Sequence, residues 1–182
     1  MTAASGPAVV LVGPPGSGKS SVGGALARRT GLGFRDTDKD IEATAGRSIP
    51  DIFITDGEPA FRAMERAAVL TALAEHGGVL SLGGGSILAE QTRAALHRHT
   101  VVFLNLTMPT GVKRTGLAAN RPLLTGVNPR ATYKALLDAR LPLYEEVATV
   151  TVQTDRLTVD EVAAVIIENL GLGAKGRGNP GE

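Results

Sequence analysis

The chain has 182 residues, 43% hydrophobic, 20% charged and 3% aromatic, the size and balance of one compact soluble domain with no room for a second. Cysteine is absent, which excludes a disulfide scaffold, a thiol nucleophile and a cysteine zinc site. Nineteen Lys and Arg against eighteen Asp and Glu leave a net charge of +1, so there is no broad electrostatic footprint for nucleic acid or an anionic membrane, and any anion must be bound locally.

Short apolar runs recur along the chain, each followed by small or acidic residues and then by a stretch with helical spacing, the pattern of strand-helix units on a parallel sheet. Val9 to Val12 is the first predicted strand, with a helix over Gly18 to Thr30 closed by the Gly31-Leu32-Gly33 turn. Phe34 to Asp36 is a second strand, Val79 to Leu82 a third, Val101 to Leu106 a fourth and Val147 to Val152 a fifth. Helices are predicted over Glu58 to Glu75, Ala89 to Arg98, Pro129 to Glu146 and Thr158 to Leu170. Thr115 to Asn128 has Gly near both ends, an Arg-Pro step and little periodicity, which suits a mobile lid. The Gly-rich tail from Gly171 to Glu182 reads as disordered. The expectation is therefore one domain over the whole chain, ordered from about residue 8 to about residue 170. No apolar run approaches the roughly 18 residues of a membrane span, and the N-terminus lacks a signal peptide's basic start and apolar core. A cytoplasmic protein is expected.

The strongest motif is Gly13-Pro14-Pro15-Gly16-Ser17-Gly18-Lys19-Ser20, which fits G-x-x-x-x-G-K-[ST] between a strand and a helix. Its glycines let successive backbone N–H groups face one anion, and the following helix adds free N–H groups and the positive end of its dipole. Lys19 supplies charge for the outer phosphates, and the Ser20 hydroxyl suits Mg²⁺. ATP or GTP binding follows, but the loop does not name an acceptor.

Asp36-Thr37-Asp38 comes next. Residues two apart in extended chain share a side, so both carboxylates could face the crevice beyond the strand ends, where Mg²⁺ or a substrate hydroxyl relieves their repulsion. The alternative is a helix cap, with Asp38 accepting N–H bonds before Asp40-Ile41-Glu42. The third strand runs into Gly83-Gly84-Gly85, where many nucleotide hydrolases place a metal-holding aspartate. Three glycines expose backbone N–H groups for close approach by a small polar ligand, or form a flexible loop. Asp36, helped by Ser81, is left as the residue that manages the metal's water shell. Arg62 precedes Glu65 by three residues, hence on one helix face, and that pair could orient its guanidinium. Taken singly, Arg62 and Arg140 each read more readily as solvated charges than as site residues.

Together these segments resemble the shikimate kinase family. GPPGSGKS, the DTD at Asp36 to Asp38, GEPAFRAME from Gly57 to Glu65, SLGGG at Ser81 to Gly85, RPLL at Arg121 to Leu124 and RLPLY at Arg140 to Tyr144 occur in the family's order, over about Ala8 to Leu170. The resemblance implies an α/β P-loop fold like that of nucleoside-monophosphate kinases, three layers around a five-stranded parallel sheet with a mobile lid. It also implies transfer of the ATP γ-phosphoryl group to the 3-hydroxyl of shikimate, a step of chorismate and aromatic amino-acid biosynthesis.

By position, the resemblance makes Asp38, Lys19 and Arg121 catalytic. Asp38, Arg62, Glu65, Gly83, Gly84, Gly85 and Arg140 would bind shikimate, with the two arginines on its carboxylate and Phe53 and Phe61 as an apolar wall. Gly16, Ser17, Gly18, Lys19, Ser20, Ser21, Arg114 and Arg121 would bind ATP, with Arg114 against the adenine and Arg121 closing over the phosphates. Ser20 and Asp36 would serve Mg²⁺. The expected partners are shikimate and ATP, with no nucleic acid or membrane, and a monomer is expected. A gluconate kinase of the same fold also handles a carboxylate and hydroxyls, but would not be expected to combine DTD, FR and GGG. A noncatalytic nucleotide switch is disfavoured by the missing strand-end aspartate.

Overall fold

The computed structural model describes residues 6–116 and 128–173. Five strands, β1 (Val9–Val12), β2 (Phe34–Asp36), β3 (Val79–Ser81), β4 (Val101–Asn105) and β5 (Val150–Gln153), form one sheet in the order β2-β3-β1-β4-β5. Every pairing is parallel. β1 lies at the centre, with Val10 opposite Leu80 of β3 and Val101 of β4.

All four β1 residues are buried because both faces of the sheet are covered, so the strand reads as a continuous apolar run rather than an alternation. The two-residue period still sorts the side chains. Val10 and Val12 pack with α4 (Glu58–Glu75), α5 (Glu90–Leu96) and α7 (Pro129–Val147), through residues such as Val69, Leu96 and Tyr144. Val9 and Leu11 pack on the other face with α1 (Lys19–Thr30) and α8 (Val159–Leu170), through Leu26 and Ile166. This is the expected three-layer arrangement. The chain leaves β1 for β2 and β3 on one side and for β4 and β5 on the other, which opens a crevice at the carboxyl end of β1.

Helices α3 (Ile49–Asp56) and α6 (Met108–Thr115) were not foreseen, and α2 (Thr37–Ala45) was present only in the cap alternative for Asp38. Their sequences are short and lack a sustained apolar stripe, so tertiary contacts hold them instead. Ile41, Ile52 and Phe61 tie α2 and α3 to α4, while Leu106, Tyr133 and Leu137 seat α6 against α7. The fifth strand begins at Val150 rather than Val147, because Val147 belongs to the buried face of α7. The lid expected from Thr115 to Asn128 is largely outside the described residues: Thr115 ends α6, the Asn128 side chain caps α7 by accepting the Ala131 N–H, and 117–127, including Arg121, are not described. The tail expectation beyond 173 likewise falls outside them.

Candidate active site

The loop from Gly13 to Gly18 joins β1 to α1. Gly16 and Gly18 have φ of 83° and 87°, left-handed conformations that side chains disfavour, which is why glycine stands at both places. α1 starts at Lys19 with no side-chain cap, so its first N–H groups are available to an anion. The Lys19 ammonium folds back and donates to Gly13 O at 2.7 Å and Pro14 O at 3.2 Å. The Ser20 hydroxyl donates to Asp36 Oδ2 at 2.7 Å, across from β2. A cavity of about 280 Å³ opens here, lined by Gly16, Gly18, Lys19, Ser20, Ser21, Asp36, Asp38, Ser81, Leu82, Gly84 and Arg114. The expected phosphate-loop and metal residues thus share one cavity with Asp38 and Gly84, whereas Arg62, Glu65 and Gly85 line a second cavity of about 370 Å³, and Arg140, Gly83, Phe53 and Phe61 line neither.

The acidic pair is not extended as expected. Asp36 is the N-cap of α2, its Oδ1 accepting the Asp38 N–H at 2.9 Å, and Asp38 lies in the first helical turn. The cap alternative is therefore realised by Asp36 rather than Asp38, because the chain turns into helix immediately after β2 and the residue at the turn satisfies its orphan N–H groups. Asp36 serves twice, with one oxygen on the helix and the other on Ser20.

The glycine run also differs from expectation. The Gly83 N–H donates to Thr37 Oγ1 at 3.3 Å, so it is engaged within the protein. A Cβ on Gly83 would lie 2.6 Å from Asp38 Oδ1 and 2.9 Å from Glu65 Oε2, and one on Gly85 would lie 2.2 Å from Arg62 Nη1. What the run provides is close approach: it lets two carboxylates and a guanidinium converge on the end of β3. Buried Thr37, overlooked between the two aspartates, also donates to Ser81 O at 3.4 Å and staples β2 to β3.

Arg62 Nη1 donates to Glu65 Oε1 at 2.8 Å, as the three-residue spacing anticipated, and Nε and Nη2 donate to Glu58 Oε1 at 3.3 and 3.2 Å. Its guanidinium lies 5.3 Å from the Phe61 ring centre, and Phe61 meets Phe53 at 4.7 Å. Arg140 is in a different position. It is only 6% exposed, yet among the described residues no carboxylate forms an ion pair with it. A buried cation without a counter-charge is costly unless an anion joins it.

The family model described as shikimate kinase matches residues 15–171. A shikimate kinase of Saccharopolyspora erythraea is 59% identical over 164 residues, covering 90% of this chain and 94% of that relative. One from Salinispora arenicola is 60% identical over 160 residues, covering 88% and 95%. The solved structure of the Acinetobacter baumannii shikimate kinase in complex with shikimate superimposes with a TM-score of 0.88 at 35% identity, covering 96% of this chain and 97% of that one. The chain belongs to the shikimate kinase family.

In this member of the family, Arg114 at the end of α6 donates to Gly16 O at 3.2 Å and to Thr154 O and Oγ1 at 3.2 and 3.3 Å. It bridges the phosphate loop to the segment after β5. That segment is anchored by Asp155, which the sequence reading did not single out; Oδ1 accepts the Thr107 N–H at 2.9 Å and hydroxyl at 2.6 Å, and Oδ2 accepts from Gln153. Burial pushes the Asp155 carboxyl up, but hydrogen bonds from Thr107, Thr110 and Gln153 outweigh it and hold the group well below its ordinary 3.8. A depressed folded-state value stabilises the protein above the unfolded value, and that contribution is lost as pH falls towards the folded one. Asp155→Asn is accordingly expected to lower unfolding free energy at pH 7 by about 1 kcal/mol, the worth of a hydrogen bond to an exposed charged group. The difference from the unaltered chain should shrink below about pH 4, as checked by urea unfolding at both pH values.

The Ser20 hydroxyl and Asp36 carboxylate suit a hard cation. Mg²⁺ is such an ion, which keeps several waters and takes one or two protein groups beside substrate phosphates; among the described residues no cluster of three or more His, Cys, Asp and Glu gathers. Among the described residues no helix is long and apolar enough to cross a membrane.

Proposed function

We propose that the chain transfers the γ-phosphoryl group of ATP to the 3-hydroxyl of shikimate, giving shikimate 3-phosphate and ADP, a step of chorismate and aromatic amino-acid biosynthesis. The observation that carries this reading is the buried Arg140, without an ion-paired carboxylate among the described residues, on α7, whose Tyr144 donates to Gly84 of the cavity lining. Shikimate carries one carboxylate, and a forked guanidinium suits it.

The phosphate loop and the N-terminus of α1 hold the ATP phosphates, with Lys19 on the outer ones. Asp38 accepts the hydrogen bond of the reacting hydroxyl and its proton as the new bond forms. Arg62, braced by Glu65 and Glu58, joins Arg140 on the carboxylate, with Gly83 to Gly85 and the Phe53–Phe61 pair around the ring. Ser20 and Asp36 hold Mg²⁺, which when bound neutralises charge on the phosphates. Arg121, outside the described residues, is assigned to the phosphates by motif position alone, and Ser17 and Ser21 to the nucleotide. The enzyme works in the cytoplasm, and a monomer suffices.

ADP release is measured with ATP and Mg²⁺ against shikimate, gluconate, quinate and nucleoside monophosphates. Shikimate is expected to give the dominant rate, and a rate no higher than with ATP alone, beside activity on another acceptor, overturns the assignment. Arg140→Lys keeps the charge but loses the fork. It is expected to raise KM for shikimate about 10- to 100-fold, the worth of hydrogen bonds to a charged group, with a smaller change in kcat. An unchanged KM removes Arg140 from the clamp.

A further inference from the structure

Helix α7 carries two buried tyrosines, Tyr133 and Tyr144, about three turns apart and hence on the same face. Tyr133 donates its hydroxyl to Pro15 O in the phosphate loop at 2.9 Å, and its ring fills the space left by Gly111, where a Cβ would lie 2.2 Å from it. Tyr144 donates to Gly84 O at 2.5 Å while its ring stacks on Phe103 of β4 at 5.0 Å. The two loops reached in this way also touch each other: a Cβ on Gly84 would be 3.4 Å from both Gly13 O and Pro15 Cδ. Arg140 lies one turn before Tyr144 on the same face, close enough for its charge to act on the phenol.

A phenylalanine would fill either ring position. A buried hydroxyl is costly unless it is hydrogen-bonded, and each of these is spent on a carbonyl of an irregular loop, which has no strand or helix ladder to satisfy it. In-line transfer demands donor and acceptor held in a near-attack arrangement, where a misplacement of about 1 Å costs about 100-fold.

We propose that Tyr133 and Tyr144 are positioning residues through which α7 sets the two halves of the site separately, Tyr133 fixing the loop that grips the nucleotide and Tyr144 fixing the glycine loop and Arg140 that receive the acceptor. This rests on the kinase reading above. Burial pushes the Tyr144 phenol up to about 12, against the opposing influence of Arg140, so it stays protonated and able to donate throughout the neutral range.

The test is a split between two Michaelis constants. Tyr133→Phe is expected to raise KM for ATP about 3- to 10-fold, the worth of one hydrogen bond, with KM for shikimate changed less than about twofold. Tyr144→Phe is expected to do the reverse. Val147→Ala, on the same buried face but outside the site, is the control: it should lower Tm and move neither constant. Calorimetry with ADP alone and shikimate alone reads the same split without turnover. The inference is overturned if either variant leaves both constants unchanged, moves both together, or does not fold, since a hydroxyl needed for folding is structural. If the unaltered chain shows no shikimate-dependent ADP release, the kinase reading itself fails, and this inference with it.

Discussion

Asp38→Asn is expected to lower kcat by about 10² to 10⁴ while shikimate still binds. The amide has the size of the carboxylate, and the backbone at this position is held independently by the Asp38 N–H to Asp36 Oδ1 bond, so the substitution leaves the first turn of α2 in place. What it removes is a proton acceptor. It also removes a negative charge near a helix N-terminus, at a cost of only about 0.3–1 kcal/mol, too little to unfold the chain. Steady-state rates beside shikimate calorimetry separate the two effects: kcat near that of the unaltered chain takes Asp38 out of the chemistry, and lost binding with intact kcat makes it a binding group only.

Lys19→Ala is expected to lower kcat by about 10³-fold, close to 4 kcal/mol of transition-state stabilisation. Two losses combine. The charge over the outer phosphates disappears where negative charge is redistributed during transfer, and the ammonium no longer clasps Gly13 O and Pro14 O, so the loop loses a contact that curls it. KM for ATP is therefore expected to rise as well, while Tm changes little because the side chain lies at the rim of the cavity rather than in the core. A folded Lys19→Ala protein with normal turnover overturns the assignment of this loop to phosphate.

Features that depend on residues near each other in sequence were legible before the structure. The β1 run and the glycine spacing after it announced the phosphate loop, and the three-residue interval between Arg62 and Glu65 announced their ion pair, seen at 2.8 Å. Helices with long apolar periodicity were placed to within a few residues, α4 at its observed bounds. α3 and α6 were missed, and α2 was glimpsed only through the cap alternative, because each is a short segment stabilised by partners elsewhere in the chain.

By itself, then, the sequence determined the strands, the long helices and the phosphate loop, because period, turn chemistry and glycine spacing act over a few residues, while the wider set of site residues was assigned by family resemblance. Only the tertiary structure decided what those residues do to one another. Asp36 became a cap and Ser20 partner when β2 was brought beside α1, and the glycine run after β3 proved to be room for Asp38, Glu65 and Arg62. Arg62 was given carboxylates while Arg140 was buried without an ion-pair partner among the described residues. Thr37, Asp155, Tyr133 and Tyr144 found partners far along the chain, Pro15 lying 118 positions before Tyr133. Such contacts follow from strand order and helix packing, and no local pattern encodes them.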